Sequence, residues 1–271
     1  MWTGLILGTL GAISTESWPL VWLIIEVNLM RFIPLIASDF SSKKICLFYF
    51  VIQSVGTLSI LARGVLSDYT ILLFSFAPLG IMLKTSVAPF HFWGPVLLPF
   101  LSKRNALLFL TWQKIAPVLL IFAVTPKILL NAFVILNLGV AVLCSGGSKE
   151  ILVLLFFSGL TGMRWMFASP LVRAVKFFIL YSAASAPVIM MTNIGCAPLL
   201  IMNLAGLPPM TGFFIKIRIL QTVRVRIRVI LLLLTVPLLF AYVRFFIMSP
   251  TRMIRPKMRT IIVCSIGCLT Y

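Results

Sequence analysis

The stretch LFLTWQKIAPVLLIFAV, residues 108 to 124, decides the fold class of this chain. It is apolar over the length of a membrane span, yet it contains Lys114 and, three residues later, Pro117. A charge at the centre of a membrane helix costs about 2.5 to 3.5 kcal/mol, and a proline removes a helix hydrogen bond. The stretch therefore indicates a membrane-spanning helix whose lysine faces a protein interior or water.

The composition of the whole chain agrees with this interpretation. Of 271 residues, 61% are hydrophobic and 10% are charged, and the mean hydropathy is +1.15. A soluble domain is usually about 45–50% apolar and about 25% charged. The chain is thus predicted to be a polytopic, all-α transmembrane protein that forms one domain over residues 1–271.

The apolar runs predict about eleven spans, because each is close to the roughly 17 to 25 residues that cross a bilayer. The first and last runs are short for an untilted helix. The predicted spans are about 2–14, 18–37, 45–62, 70–88, 105–124, 128–145, 150–168, 174–193, 196–216, 229–248 and 258–271.

The excess of basic residues, 23 Lys and Arg against 5 Asp and Glu, would suggest a nucleic-acid partner in a soluble protein. Here the bases lie singly or in pairs between apolar runs, with no aromatic-lined groove beside them, which favours contact with lipid phosphates. The five cysteines form no C-x-x-C pair. The pattern therefore argues against nucleic acid, metal, iron–sulfur and disulfide roles.

Glu26, in VWLIIEVNLM, is the only acidic residue well inside a predicted span. An unpaired carboxylate there would take up a proton, so a basic partner from another helix is expected. Lys84, in LGIMLKTSVAPFHFW, is the candidate partner. A change in the spacing of this pair could load or unload a proton.

Helix breakers accompany two of the buried lysines. Lys114 is followed by Ala-Pro, and Lys216 is preceded by GLPPMTGFF. Irregular backbone at membrane depth is tolerated only in a protein interior or beside water. Two interrupted helices, each with a lysine, are typical of ion-pathway proteins built from inverted repeats.

Taken together, four segments resemble NADH dehydrogenase subunit 2, the antiporter-like membrane subunit family of respiratory complex I. The resemblance runs over about residues 5 to 216. The segments are LIIEVNLMRFIP (23–34), LKTSVAPFHFWGP (83–95), LTWQKIAP (110–117) and NLAGLPPMTGFFIK (203–216).

The resemblance implies an antiporter-like fold with two inverted five-helix repeats and two discontinuous helices, lacking the first three helices of the full-length family fold. By position, Glu26 and Lys84 match the family's ion pair. Lys114 matches its central lysine on the first broken helix, and Lys216 the lysine on the second. These four residues are the expected proton-translocation residues.

The chain departs from the family pattern in FSGLTGMRWM. Gly162 stands at the position of a family histidine, Arg164 follows two residues later, and Val153 replaces a basic residue, with Lys149 close by. Arg164 and Lys149 are therefore possible auxiliary residues. Water could bridge the gap in the relay, or Arg164 could supply a fixed charge that hinders protons.

His91, in APFHFW, is the only histidine and the third possible auxiliary residue. Beside Pro89 and between aromatic residues, it suits a hydrogen-bonded packing role at the interface, and the alternative is a proton-exchange site at a channel mouth. A single histidine without acidic or cysteine neighbours argues against a zinc or haem site.

The resemblance implies a core subunit of H⁺-translocating NADH:ubiquinone reductase, complex I, in the mitochondrial inner membrane. This chain would bind no cofactor, since NADH, FMN, iron–sulfur clusters and ubiquinone belong to other subunits. Expected partners are the neighbouring antiporter-like subunit, the small membrane subunits, and phospholipids such as cardiolipin. The alternatives are a free-standing cation/proton antiporter and a structural subunit with an interrupted relay.

Overall fold

The chain is described here by a computed structural model. It covers residues 2–15, 17–38, 43–65, 76–146, 150–190, 197–207, 210–221 and 235–248, together with residues 223, 228, 229, 231 and 232. Within these residues there are helices and no strand, which confirms the all-α prediction. Lys149 and the predicted last span, 258–271, lie outside the described residues.

The helices are numbered in chain order, and one 3-10 turn, Leu98–Phe100, follows the fifth. Their bounds are α1 (Trp2–Ser14), α2 (Trp18–Ala37), α3 (Lys43–Val65), α4 (Phe76–Thr85), α5 (Trp93–Leu97), α6 (Lys103–Leu110), α7 (Trp112–Val124), α8 (Lys127–Ser145), α9 (Ile151–Ala168), α10 (Leu171–Met190), α11 (Ala197–Ala205), α12 (Thr211–Leu220) and α13 (Thr235–Met248).

Among the described residues, five segments are long and apolar enough to cross a membrane. They are Trp18–Ala37, Lys44–Arg63, Lys103–Val124, Ile151–Ala168 and Leu171–Met190. The count of about eleven spans included every apolar run. The run 2–14 forms α1, with the predicted bounds, and the run 196–216 is divided between α11 and α12.

The first helix interruption lies at Thr111, between α6 and α7. The hydroxyl of Thr111 donates to the Leu107 carbonyl at 2.7 Å, and the Lys114 amide bonds only three residues back, to the Thr111 carbonyl at 3.2 Å. Pro117 lies inside α7. The break itself lies six residues before the proline, where a threonine hydroxyl competes for the helix carbonyls.

The second interruption separates α11, which ends at Ala205, from α12, which begins at Thr211. Gly206 has φ +79, a left-handed conformation that favours glycine. Its amide donates to the carbonyls of Met202 and Asn203, as at a helix C-terminus. The two discontinuous helices that the resemblance implies are thus present.

The chain divides into two compact units, residues 1–130 (unit 1) and 131–271 (unit 2). In unit 1, α2, α3 and α4 pack in succession, and α7 packs on α1 and α4. In unit 2, α10 packs on α9, α11 and α12, and α11 also packs on α13. The assignment of residues 1–271 to a single domain stays a prediction.

Close contact between α3 and α4 fixes the position of Lys84 in unit 1. A Cβ atom on Gly80 would lie 1.5 Å from the Ser59 hydroxyl and 2.8 Å from the Gly56 carbonyl. One on Gly56 would lie 2.8 Å from Cγ of Lys84. Small residues allow membrane helices to approach this closely, so the lysine stem is held against the α3 backbone.

An aromatic cluster packs beside this contact. Tyr49 and Phe109 lie against Trp93, with ring centroids 5.9 and 5.5 Å away, and Phe32 packs on Tyr49 at 5.7 Å. The Trp93 indole N–H donates to the Leu83 carbonyl at 3.0 Å. The indole therefore satisfies a carbonyl at the end of α4, next to Lys84.

Candidate functional site

Two of the predicted site lysines meet in unit 1. Lys84, in the last turn of α4, is 8% exposed, and Lys114, in the first turn of α7, is 4% exposed. Both line one cavity. Such ionisable residues are rare inside membrane proteins and mark ion or proton pathways.

The cavity between these lysines has a volume of about 20 Å³, room for one buried water molecule. Its lining includes five further polar side chains besides the two lysines. They are Asn28, Gln53, Thr85, Ser86 and Gln113. This lining provides both donors and acceptors, so water entering the cavity can form hydrogen bonds on several sides.

Gln53 is the direct partner of Lys84. The Lys84 amine donates to Oε1 of Gln53 at 3.5 Å, and Nε2 of Gln53 donates to the Lys84 main-chain carbonyl at 3.3 Å. The amide therefore holds the lysine at two points, across the α3–α4 contact. A neutral amide can accept from an ammonium without cancelling its charge.

Glu26 lies near enough for its charge to act on Lys84. It is half-buried, and its Oε2 atom is buried without a hydrogen-bond partner. Within the described residues, neither Glu26 nor Lys84 takes part in an ion pair. In the structure the hydrogen-bond partner of the Lys84 amine is therefore Gln53, and the pairing with Glu26 stays a prediction.

Asn28 and Gln113 link α2 to α7 at the same cavity. Nδ2 of Asn28 donates to Oε1 of Gln113 at 3.4 Å. Their other amide atoms, Oδ1 of Asn28 and Nε2 of Gln113, are buried without a partner. One acceptor and one donor are thus left beside Lys114, and buried groups of this kind are usually satisfied by ordered water.

Lys216 closes the second interrupted helix in unit 2. Its amine donates to the carbonyls of Leu204 at 3.1 Å and Ala205 at 2.6 Å, the last two residues of α11. Gly206 makes room for this contact, since a Cβ atom there would lie 2.7 Å from the amine. A cation at a helix C-terminus is stabilised by the free carbonyls and the helix dipole.

Arg164, also in unit 2, is fully buried in α9. Among the described residues, none is a hydrogen-bond partner of its three side-chain nitrogens, and the guanidinium lies 5.6 Å from the Trp165 ring centroid. Arg164 therefore places a positive charge inside unit 2, against an aromatic ring.

Of the other two auxiliary residues, His91 does not join these groups. His91 is half-buried, does not line the lysine cavity, and its Nδ1 atom lies 3.1 Å from the carbonyl of nearby Pro89. This favours the packing role over proton exchange. Lys149 lies outside the described residues. In that described part, no group of three His, Cys, Asp or Glu residues could hold a metal ion.

Proteins similar in sequence match most of the chain. It is 29% identical to NADH-ubiquinone oxidoreductase chain 2 of Pelomedusa subrufa, over 81% of this chain and 75% of that protein. It is also 29% identical to the protein of the same name from Anopheles gambiae, over 90% of this chain and 82% of that protein. The chain is a relative of NADH-ubiquinone oxidoreductase chain 2. No family model matches it.

Solved structures share the fold of this chain at lower identity. It superposes on a chain of respiratory complex I from Thermus thermophilus with a TM-score of 0.76 and 18% identity, over 98% of this chain and 74% of that one. It superposes on a chain of the Mrp complex from Dietzia sp. with a TM-score of 0.74 and 14% identity, over 88% of this chain and 58% of that one. The antiporter-like fold is thereby confirmed.

Three amide side chains at the lysine cavity were not among the predicted site residues: Asn28, Gln53 and Gln113. Each is a polar side chain inside an apolar helix, and Asn28 and Gln113 stand close in sequence to Glu26 and Lys114 respectively. Uncharged polar residues at membrane depth are themselves a signal of a buried hydrogen-bond network. That signal could have identified them.

Proposed function

We propose that this chain is a proton-translocating membrane subunit of NADH-ubiquinone oxidoreductase in the mitochondrial inner membrane. The relatives that match most of the chain carry that enzyme's name. The observation that carries the proton role is that Lys84 and Lys114 line one water-sized cavity among membrane helices. A lysine amine beside water can release and regain a proton, whereas a lipid-facing one cannot.

In the proposed mechanism, Lys84 has two alternative partners. In the structure its amine contacts Gln53, while Glu26 has a carboxylate oxygen without a partner nearby. A charge signal from a neighbouring subunit moves the amine toward Glu26, which neutralises it more completely. The positive field at Lys114 then falls, so Lys114 binds a proton more readily from cavity water. Return of Lys84 to Gln53 reverses the effect and expels the proton.

Lys216 is proposed to be the second proton-exchanging lysine, at the interruption between α11 and α12. Its two carbonyl partners stabilise the ammonium form. A rearrangement of the interruption that breaks these contacts would favour release of the proton.

The redox chemistry belongs elsewhere in the complex. NADH, FMN, iron–sulfur clusters and ubiquinone are proposed to bind other subunits. The neighbouring antiporter-like subunit and the small membrane subunits are proposed as direct partners, and phospholipids such as cardiolipin as lipid partners. Membership of a multi-subunit membrane complex is supported by the fold, which occurs in chains of such assemblies.

The function is tested by replacing Lys114 with Met in the complete complex. The variant keeps the length and apolar stem of the side chain but has no proton to exchange, so protons pumped per NADH should fall. Lys127→Met, at the exposed start of α8, is the matched control and should pump normally. Normal stoichiometry in an assembled Lys114→Met complex would rule out the relay role.

A second candidate function is a free-standing cation/proton antiporter. Its support is that the same fold occurs in a chain of an Mrp complex. The purified chain, reconstituted alone in vesicles with a pH gradient, would then exchange cations for protons. Isolation of the chain together with flavin and iron–sulfur subunits, and no exchange by the chain alone, would favour the complex I role.

A further inference from the structure

The first turn of α12 in unit 2 is capped by a side chain from α11. The first amides of an α-helix have no partner within the helix, and a Ser, Thr, Asp or Asn at the N-cap position commonly accepts from one of them. In α12 that position is Met210, whose side chain makes no capping hydrogen bond. The amide of Gly212 donates instead to Oδ1 of Asn203, nine residues back, at 3.1 Å. The start of α12 thus depends on a residue of the preceding helix.

Close approach at Gly212 allows this contact. A Cβ atom there would lie 2.2 Å from the main-chain oxygen of Asn203 and 3.5 Å from its Oδ1 atom. Any side chain at this position would therefore push α12 away from α11. The main-chain carbonyl of Asn203 also accepts from the Gly206 amide at 3.1 Å. Asn203 consequently bonds both sides of the interruption, Gly206 at the end of α11 and Gly212 at the start of α12.

Lys216 makes the reverse contact, from α12 to the end of α11. Its amine donates to the carbonyls of Leu204 and Ala205. Residues four apart lie on one face of an α-helix, so Gly212 and Lys216 both face α11, one turn from each other. The helix α11 thus caps α12 through Asn203, and α12 caps α11 through Lys216. Each of the two caps holds the helices in the register that the other one requires.

We infer that Asn203 is a positioning residue for Lys216 and sets the distance between the lysine amine and the end of α11. This inference deepens the proposed function and rests on it. While the Gly212 amide is bonded to Asn203, the start of α12 is fixed, so the lysine side chain begins at a fixed point one turn farther on. Without that bond α12 shifts along α11, and the amine moves away from its two carbonyl partners.

The position of Lys216 matters because the carbonyls of Leu204 and Ala205 stabilise its ammonium form. With the Asn203 bond in place, the amine stays at these carbonyls and holds its proton. When α12 shifts, the amine leaves them and releases the proton more readily. Asn203 itself exchanges no proton. It acts on proton transfer by determining how often Lys216 occupies the end of α11.

The test is Asn203→Leu in the complete complex, because leucine has nearly the shape of asparagine but no acceptor oxygen. Loss of a helix cap changes a local equilibrium by roughly two- to thirtyfold. We expect fewer protons pumped per NADH while NADH oxidation continues. We also expect a structure of the variant complex in which the Lys216 amine has left the Ala205 carbonyl. An unchanged contact, or an unchanged stoichiometry, would overturn the inference.

A second variant, Asn203→Asp, separates positioning from packing, because aspartate presents an oxygen at the same place whether it is ionised or protonated. It should recover the stoichiometry lost in Asn203→Leu, and equal losses in both variants would count against the inference. Asn137→Leu is the matched control, since this amide donates to the Phe133 carbonyl within α8, and it should pump normally. If Lys114→Met lowers pumping and Asn203→Leu does not, the proposed function stands and only the positioning role fails.

Discussion

Lys84 is held by Gln53 through two hydrogen bonds that run in opposite directions, one from the lysine amine to Oε1 of Gln53 and one from Nε2 of Gln53 to the lysine carbonyl. A carboxylate that could neutralise the lysine, Glu26, is near but not bonded to it. Lys84 thus contacts a neutral partner and has a charged one nearby, and the proposed mechanism alternates between the two.

Replacement of Gln53 by Leu should shift Lys84 to Glu26. The amine–amide contact is long, 3.5 Å, so it is worth less than the about 1.5 to 3 kcal/mol of a short hydrogen bond to a charged group, and its loss still favours the ion pair. We expect assembled complexes that turn over slowly and pump fewer protons. Ser54→Ala, next in sequence and bonded only to the Val51 carbonyl, is the control. Unchanged pumping by Gln53→Leu would remove Gln53 from the mechanism.

Replacement of Gly80 by Ala should separate α3 from α4. The new methyl carbon would overlap the Ser59 hydroxyl and press on the Gly56 carbonyl. Overpacking of this kind costs typically about 1 to 3 kcal/mol, and it would also move Lys84 relative to Gln53. We expect less assembled complex at elevated temperature. Gly139→Ala in α8, where nothing lies within 4 Å of the added carbon, is the control and should behave normally.

Two variants of Lys216 should separate its role at the C-terminus of α11 from its proposed role in proton exchange. Lys216→Arg keeps a cation and donors for the α11 carbonyls, but arginine does not lose its proton. We expect this variant to assemble and to pump poorly. Lys216→Met should in addition lose up to about 2 kcal/mol of helix-end stabilisation, seen as a lower temperature of inactivation. Full pumping by the arginine variant would confine Lys216 to structure.

Gly206→Ala should disturb the same helix end without altering any charge. The left-handed φ of +79 costs a residue with a side chain about 1 to 2 kcal/mol, and the methyl group would displace the Lys216 amine. Thermal inactivation of the complex measures the first effect and proton stoichiometry the second. Stability equal to that of the unmodified complex would contradict the assigned geometry at Gly206.

Much of the site could be predicted from the sequence, because charged residues and helix-breaking residues are conspicuous in apolar segments. The sequence shows three charges inside apolar runs: Lys84, Lys114 and Lys216. The Gly and Pro residues near Lys216 predict an interrupted helix. The position of the first interruption could not be predicted, since Pro117 is the obvious breaker and the break lies at Thr111. A proline predicts that one helix hydrogen bond is missing, but the packing around the helix determines the residue at which it is interrupted.

Hydropathy by itself determined that the chain is an all-α membrane protein, because in lipid each peptide group must be bonded within its own helix. It also determined which lysines are buried. Only tertiary structure decided their partners. Gln53 reaches Lys84 because glycines bring α3 against α4, and Lys216 reaches the end of α11 because Gly206 has no side chain to block its amine. These contacts join separate helices, so their geometry depends on packing that no local pattern encodes.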